Sequence, residues 1–191
     1  FSIILPTFNR GDRIDQAINS VLSQSVANWE LIIIDDGSTD NTKAVCQQFE
    51  DKRITYVYQD NSERSVARNN GIALAKGKYI GFLDSDDTYS PTFLENVQNV
   101  TKELTSPSLI FTGLSINHQN SITPQPIPAI NTLSPKEFLL VHSMATPRAV
   151  IHSECFQKGL FPVDLSIGED RHLWVRLANY FPVEFCPDAI I

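Results

Sequence analysis

The stretch YIGFLDSDDTYSP, residues 79–91, decides how this chain is read. Four apolar residues, Tyr79, Ile80, Phe82 and Leu83, run straight into Asp84, Asp86 and Asp87, so a buried strand ends in a cluster of carboxylates. Carboxylates crowded at a strand end repel one another and raise each other's pKa unless a cation sits between them. Hard oxygen ligands favour Mg2+ or Mn2+, ions commonly held by one or two carboxylates with phosphate oxygens completing the shell. The plain alternative is an Asp/Ser turn that caps the next helix, and for a lone acidic pair that alternative would win.

Outward from this stretch, the first half of the chain alternates strand-like and helix-like segments. FSIILPT (1–7), WELIIIDD (29–36), RITYVYQ (53–59) and YIGFLD (79–84) are apolar or β-branched runs of strand length. Between them, residues 12–25 carry Ile14, Ala17, Ile18, Val21 and Leu22 at helical spacing; residues 42–50 follow a turn whose Ser38 or Asp40 can cap a helix; residues 65–77 read as a helix stopped at Gly77. This alternation predicts an α/β fold, a mostly parallel sheet with helices on both faces. The second half is less regular. PTFLENVQNVTKEL (91–104) reads as a helix with proline at its start and SLIFTGLSI (108–116) as a strand. Residues 117–133, with Pro124, Pro126 and Pro128, read as a long loop, and order resumes over 134–142 and 149–159. GEDRHLWVRLANY (168–180) is expected to be a helix with Leu173, Trp174, Leu177 and Ala178 on one face.

The 191 residues, 42% hydrophobic and 19% charged, have ordinary globular composition. A chain of this size buries roughly 70% of its unfolded surface and needs no disulfide or zinc staple. Cys46, Cys155 and Cys186 are far apart and outside any CxxC spacing, so reduced thiols in a reducing compartment are expected. The net charge of -7 speaks against nucleic acid as the main partner. No run approaches the roughly 18 apolar residues of a membrane span and no signal segment precedes the first strand. A soluble, cytoplasmic protein is expected, with any membrane association left to regions outside these residues.

In open parallel sheets, ligands bind at the carboxyl ends of the strands, where loops converge and helix N-termini face inward. That rule gathers three polar strand ends: Pro6-Thr7-Phe8-Asn9-Arg10, Asp35-Asp36-Gly37-Ser38 and Asp84-Ser85-Asp86-Asp87. Each alone is turn chemistry; together they make a site. Asp36 can accept hydrogen bonds from a base or ribose. Arg68 suits phosphate through its fixed fork of donors, although alone it would be a surface charge. With Arg64 it forms a like-charge i,i+4 pair, unfavourable by a few tenths of a kcal/mol unless an anion lies between. Glu169 and Asp170 either answer a helix dipole or supply a general base, and the residues leave the two readings even. His172, on the same turn, reads first as a solvated or core histidine.

With those residues in view, the chain resembles a family 2 glycosyltransferase of the GT-A fold. The resemblance runs through SIILPTFNR (2–10), LIIIDDGSTDNT (31–42), SVARNNGIALAKGKYIGFLDSDD (65–87) and GLFPVDLSIGEDRHLWVRLA (159–178). An acidic pair alone would be weak; PTFNR, DDGSTD, ARNNG with KGKYI, DSDD and GED in this order are specific. The resemblance implies one GT-A catalytic domain over 1–191, with 1–115 the nucleotide-binding half and 116–191 the acceptor-side half, continuing beyond Ile191 in a longer protein. Pro6, Thr7, Asn9 and Arg10 would line a nucleotide pocket, Asp36 would accept from the base, most often uracil, and Arg68 would lie near ribose and diphosphate. Asp84 and Ser85 would meet the ribose or sugar, and Asp86 would ligate a divalent Mn2+ or Mg2+, with Asp87 behind it. Asp170 would be the base, with Glu169 the alternative. The implied reaction is inverting transfer from a nucleotide diphosphate sugar, UDP-linked first, to a carbohydrate or lipid-linked saccharide hydroxyl, as in polysaccharide biosynthesis. Residues 115–147 match no motif, so the acceptor stays open.

Two other functions compete. GFLDSDDT (81–88) approaches the pattern of haloacid-dehalogenase-like phosphatases, whose first Asp is a phosphorylated nucleophile, but that motif ends a first strand and here three strands precede it. A non-catalytic nucleotide-sugar-binding module would keep the motifs without turnover, yet such a relic has no need of a base.

Overall fold

The computed structural model describes residues 1–118, 121–125, 127–128, 133–142 and 144–191. Along the chain run β1 (Ser2–Thr7), α1 (Ile14–Leu22), β2 (Glu30–Asp36), α2 (Thr42–Cys46), β3 (Ile54–Gln59), α3 (Glu63–Leu74), β4 (Tyr79–Phe82), α4 (Phe93–Glu103), β5 (Leu109–His118), β6 (Ser121–Gln125), α5 (Pro135–Val141), β7 (Ala149–His152), α6 (Glu169–Leu177) and β8 (Val183–Ile190). The strands form one sheet in the order β3-β2-β1-β4-β7-β5-β6, with β8 paired to β5. β3, β2, β1 and β4 are mutually parallel, whereas β7 is antiparallel to both β4 and β5. The parallel order thus belongs to the first half, and the second half is mixed.

The reason lies in the side chains. Leu31 to Ile34 of β2 and Ile3 to Leu5 of β1 are buried in succession, as strands covered on both faces must be. One face is covered by α1, through Ile14, Ala17, Ile18 and Val21, and by α4, through Phe93, Leu94 and Val97. On the other, α3 approaches β1 closely: a Cβ at Gly71 would run into the Ile4 side chain, so only glycine lets the helix sit there. That face continues into a second core where Trp174 of α6 packs against Phe82, Phe111 and Phe161 at ring-centroid distances of 6.3, 5.8 and 5.5 Å. The Trp174 indole N–H also donates to the Met144 carbonyl at 3.0 Å. Leu173, Trp174 and Leu177 are buried, as the helical pattern predicted. Cys46, Cys155 and Cys186 are buried and unpaired.

Three parts differ from the sequence-based expectation. α3 begins at Glu63 and ends at Leu74, with Ala75 extended at its C-cap, before the expected stop at Gly77. Within 117–133, expected as loop, Ser121–Gln125 pairs antiparallel with Leu114–His118 as β6; residues 119–120, 126 and 129–132 of that stretch lie outside the described residues. Pro124 is tolerated because β6 ends the order of strands, and an edge strand needs no N–H on its outer side. The apolar tail forms β8, parallel to β5, although Pro187 falls inside it. The register jumps from Thr112↔Cys186 to Gly113↔Ile190, so Pro187 is carried in a bulge and withdraws no ladder bond.

Candidate active site

The strand order reverses between β1, with β2 on one side, and β4 on the other, and crevices form at such reversals. A cleft of about 750 Å3 opens there, lined by Pro6, Thr7, Arg10, Asp36, Arg68, Asp84, Ser85 and Asp86 among the residues selected from sequence. Phe8, Asn61, Glu63, Arg64 and Ala67 also line it. Of these, Phe8 and Ala67 lie in the PTFNR and ARNNG stretches and Arg64 had its i,i+4 spacing from Arg68 as a signal, whereas Asn61 and Glu63 had none. Asn9 does not line the cleft. Its left-handed backbone, φ 51°, turns its side-chain oxygen to accept the N–H groups of Thr39 at 2.8 Å and Asp40 at 3.3 Å, and its own N–H donates to Ser38 Oγ at 2.8 Å. Asn9 therefore ties the β1 loop to the β2 loop and shapes the cleft indirectly.

At one end, Asp36 is 5% exposed. Its Oδ1 accepts from Gln59 Nε2 at 2.6 Å and from the Ser62 N–H at 2.9 Å. Oδ2 has no hydrogen-bond partner among the described residues and keeps its accepting capacity. Asp35, behind it, is consumed by the fold, accepting from the Tyr56 hydroxyl and, at 2.8 Å, from the Ser38 N–H.

At the end of β4, the Asp87 N–H donates to the Asp84 carbonyl at 3.0 Å, so the acids do form a turn. Asp84 pairs with Arg68 at 3.1 Å, and Asp86 is exposed. Asp87 is pushed up to about 6, first by burial and then by the charges of Asp84 and Asp86. Among the described residues no three His, Cys, Asp or Glu side chains converge as a metal cage. One open carboxylate in a field of negative charge is a poor zinc site but suits a hard cation that keeps waters and takes phosphate oxygens.

The start of α6 is joined to these acids through Arg68, which pairs with both Asp84 and Glu169; neither Glu169 nor Asp170 is among the residues lining the cleft. Gly168 has φ 76°, a left-handed conformation that a side chain would strain, and the turn it makes delivers Glu169 and Asp170 toward α3. The Glu169 carboxylate, 5% exposed, meets Arg64 Nε at 2.9 Å and Arg68 Nη1 at 3.2 Å. Asp170 is half-buried and accepts the Arg171 N–H at 2.6 Å. Burial lifts its carboxyl above the ordinary range; the Arg171 hydrogen bond opposes this and the Glu169 charge adds to it. His172 instead lines a separate groove with Leu140, Val175 and Arg176. Two buried polar atoms at the cleft, Thr7 Oγ1 and Arg68 Nε, have no partner among the described residues, and such orphans ask for a ligand or water.

The family model described as Glycosyl transferase family 2 matches residues 2–153. The uncharacterized glycosyltransferase RC0461 of Rickettsia conorii is 34% identical over 193 residues, 93% of this chain and 30% of its own length. Among eight such relatives the chain spans 26% to 62% of the relative's length. In fold, the chain is similar to S. aureus TarS, solved with UDP, at TM-score 0.82 and 20% identity over 100% of this chain and 60% of that one. It is also similar to the mannosyltransferase PcManGT of Pyrobaculum calidifontis, solved with GDP-Man and Mn2+, at TM-score 0.70 and 19% identity over 99% and 55%. Among the described residues no helix is long and apolar enough to cross a membrane. With the family pattern matched over most of its length and the GT-A architecture present, the chain belongs to glycosyltransferase family 2.

Proposed function

We propose that the chain transfers a sugar from a nucleoside diphosphate donor, a UDP-sugar first, to an acceptor hydroxyl with inversion, in one displacement. The observation that carries this reading is the cleft itself: Thr7 Oγ1 and Arg68 Nε, unpartnered among the described residues, the open Asp36 Oδ2 and the exposed Asp86 all belong to one crevice, and Arg68 ties to it the helix that carries Asp170. Asp36 would accept from the base, and Thr7 and Arg68 would donate to ribose and diphosphate. Asp84, pinned by Arg68, would meet the ribose or sugar beside Ser85. Asp86, with Asp87 behind it, would hold a divalent cation, which when bound offsets the charge of the leaving diphosphate. Asp170 takes the proton of the acceptor hydroxyl as that oxygen bonds to the anomeric carbon; the bond from that carbon to the phosphate oxygen breaks and the nucleoside diphosphate leaves with the electron pair. A carboxyl raised by burial is the better matched to that task.

The choice of UDP is supported by a fold neighbour solved with UDP and UDP-GlcNAc, and the divalent metal by one solved with Mn2+. The phosphatase alternative needs Asp84 free as a nucleophile, whereas that carboxylate is engaged by Arg68 and the polar ends of β1 and β2 would have no task. The test is a thermal-shift panel of UDP, GDP, dTDP, CMP and ADP, each with and without Mn2+ or Mg2+. Ligand at about 100-fold its Kd contributes roughly 2.7 kcal/mol, a rise of about 5 to 10 °C for a domain of this size. A metal-dependent rise with one nucleotide is expected; none with any nucleotide would contradict the reading.

A further inference from the structure

We infer that Glu169 is a positioning residue for the proposed reaction, not its base: it locks the first turn of α6 to α3 through Arg64 and Arg68, and so fixes the turn that carries Asp170. The inference rests on the proposed function and goes further by separating the two acids of the GED segment. One oxygen, Glu169 Oε1, takes both guanidiniums, Arg64 Nε at 2.9 Å and Arg68 Nη1 at 3.2 Å. Arg68 continues to Asp84 at 3.1 Å. The result is a chain of alternating charge, Arg64–Glu169–Arg68–Asp84, in which two arginines of α3 hold the start of α6 and reach the acids at the end of β4.

Three features mark this chain as a seat for α6. A base must be reachable by an incoming hydroxyl, but the Glu169 side chain is 6% exposed, and its Oε1 accepts from Arg68 Nη1 and is ion-paired with Arg64. Arg64 also donates Nη2 to the Ser166 carbonyl at 2.6 Å, so it grips the loop entering the helix as well as the helix itself. One turn along α3, Asn69 exchanges two hydrogen bonds with the Phe161 backbone, at 2.9 and 3.0 Å, while the Arg68 guanidinium lies 5.4 Å from the Phe161 ring centroid. Thus Arg64, Arg68 and Asn69 of one helix all hold residues 161–169. The far end of α6 is fixed by Trp174 in the apolar core, so its near end, where Asp170 stands, depends on these polar ties. Charge-balanced pairs of this kind are stiff, and removing one partner leaves the others buried and uncompensated.

The test compares Glu169→Gln, Asp170→Asn and Arg64→Ala in the same chain, reading UDP affinity with Mn2+, kcat and KM for release of UDP from UDP-N-acetylglucosamine, and the pH profile of kcat. Glu169→Gln keeps the shape, and Arg64, whose side chain is 54% exposed, can be truncated without opening the core. The inference expects Glu169→Gln to lower kcat about 10- to 100-fold, the scale of a misplaced catalytic group, with UDP affinity within about threefold and the acidic limb of the pH profile retained. Arg64→Ala should show the same kcat-selective loss at smaller size, about 5-fold. Asp170→Asn should lose about 10³-fold and abolish that limb. If Glu169→Gln abolishes the limb while Asp170→Asn retains it, Glu169 is the base and the inference is overturned; a kcat within twofold of wild type for both Glu169→Gln and Arg64→Ala overturns it equally. Absence of UDP release and of UDP binding in the wild-type chain is a different failure, that of the proposed function.

Discussion

The two groups of acids joined through Arg68, at the start of α6 and at the end of β4, stand in opposite arrangements. At the start of α6 the Glu169 carboxylate is matched by two guanidiniums and nearly sealed from water. At the end of β4 three carboxylates stand within four residues, Asp84 alone has an ion-pair partner among the described residues, and Asp87 is pushed up to about 6. Compensated charge is architecture, because its interactions are complete in the folded chain. Uncompensated charge is costly to the fold and marks where a ligand completes the structure. By that criterion Asp170, half-buried and in no ion pair among the described residues, groups with the acids of β4 although it adjoins Glu169 in sequence.

The contrast is most exposed to Asp170→Asn, expected to lower turnover about 10³-fold with little change in nucleotide binding, as read by steady-state rates and calorimetry. Next comes Asp86→Ala, expected to weaken metal-dependent UDP binding by about 100-fold, the loss of one charged ligand worth roughly 3 kcal/mol. Asp87→Ala should weaken it only a few-fold, and equal effects in the two titrations would mean the ligand is misassigned. The pH profile comes third. Asp170 must be ionised to accept a proton and its pKa is raised above 3.8, so kcat should fall tenfold per pH unit below that raised value, and the fall should be absent in Asp170→Asn. The smallest effect concerns stability of the ligand-free chain. Asp87 has its pKa raised from 3.8 to about 6 on folding, so the fold favours its neutral form; that contribution is full below 3.8 and is lost as pH rises through about 6. Asp87→Asn, which cannot ionise, should therefore be more stable than wild type at pH 7 and equal to it near pH 3. After discounting for partial exposure the gain is about 1–2 kcal/mol, a rise in Tm of roughly 3 to 6 °C.

The first half of the chain was legible because its information is local. Continuous apolar runs mark strands buried on both faces, and a polar residue directly after such a run must stand at the strand's carboxyl end, which places Thr7, Asp36 and Asp86 before any coordinates are known. The other half depends on contacts between residues far apart in sequence. Arg68 and Glu169 are separated by 101 positions, and nothing near either announces the pair. β6 and β8 were obscured by Pro124 and Pro187, residues a strand tolerates only at an edge or in a bulge, and neither circumstance can be read before the neighbours are known. Asn9 shows a subtler limit. Its motif pointed to the right loop, but its left-handed backbone turns the side chain to the neighbouring loop instead of the cleft.

The central claim, single-displacement sugar transfer at this cleft, is tested most directly by following donor turnover by NMR. The chain is mixed with Mn2+ and an α-linked nucleotide sugar, water serving as acceptor, and the first-formed anomer is observed before mutarotation. Release of the nucleoside diphosphate together with the β-anomer is the predicted result. The α-anomer formed first would contradict a single displacement with Asp170 as base, and no release from UDP-, GDP- or dTDP-linked sugars would contradict the transferase reading itself.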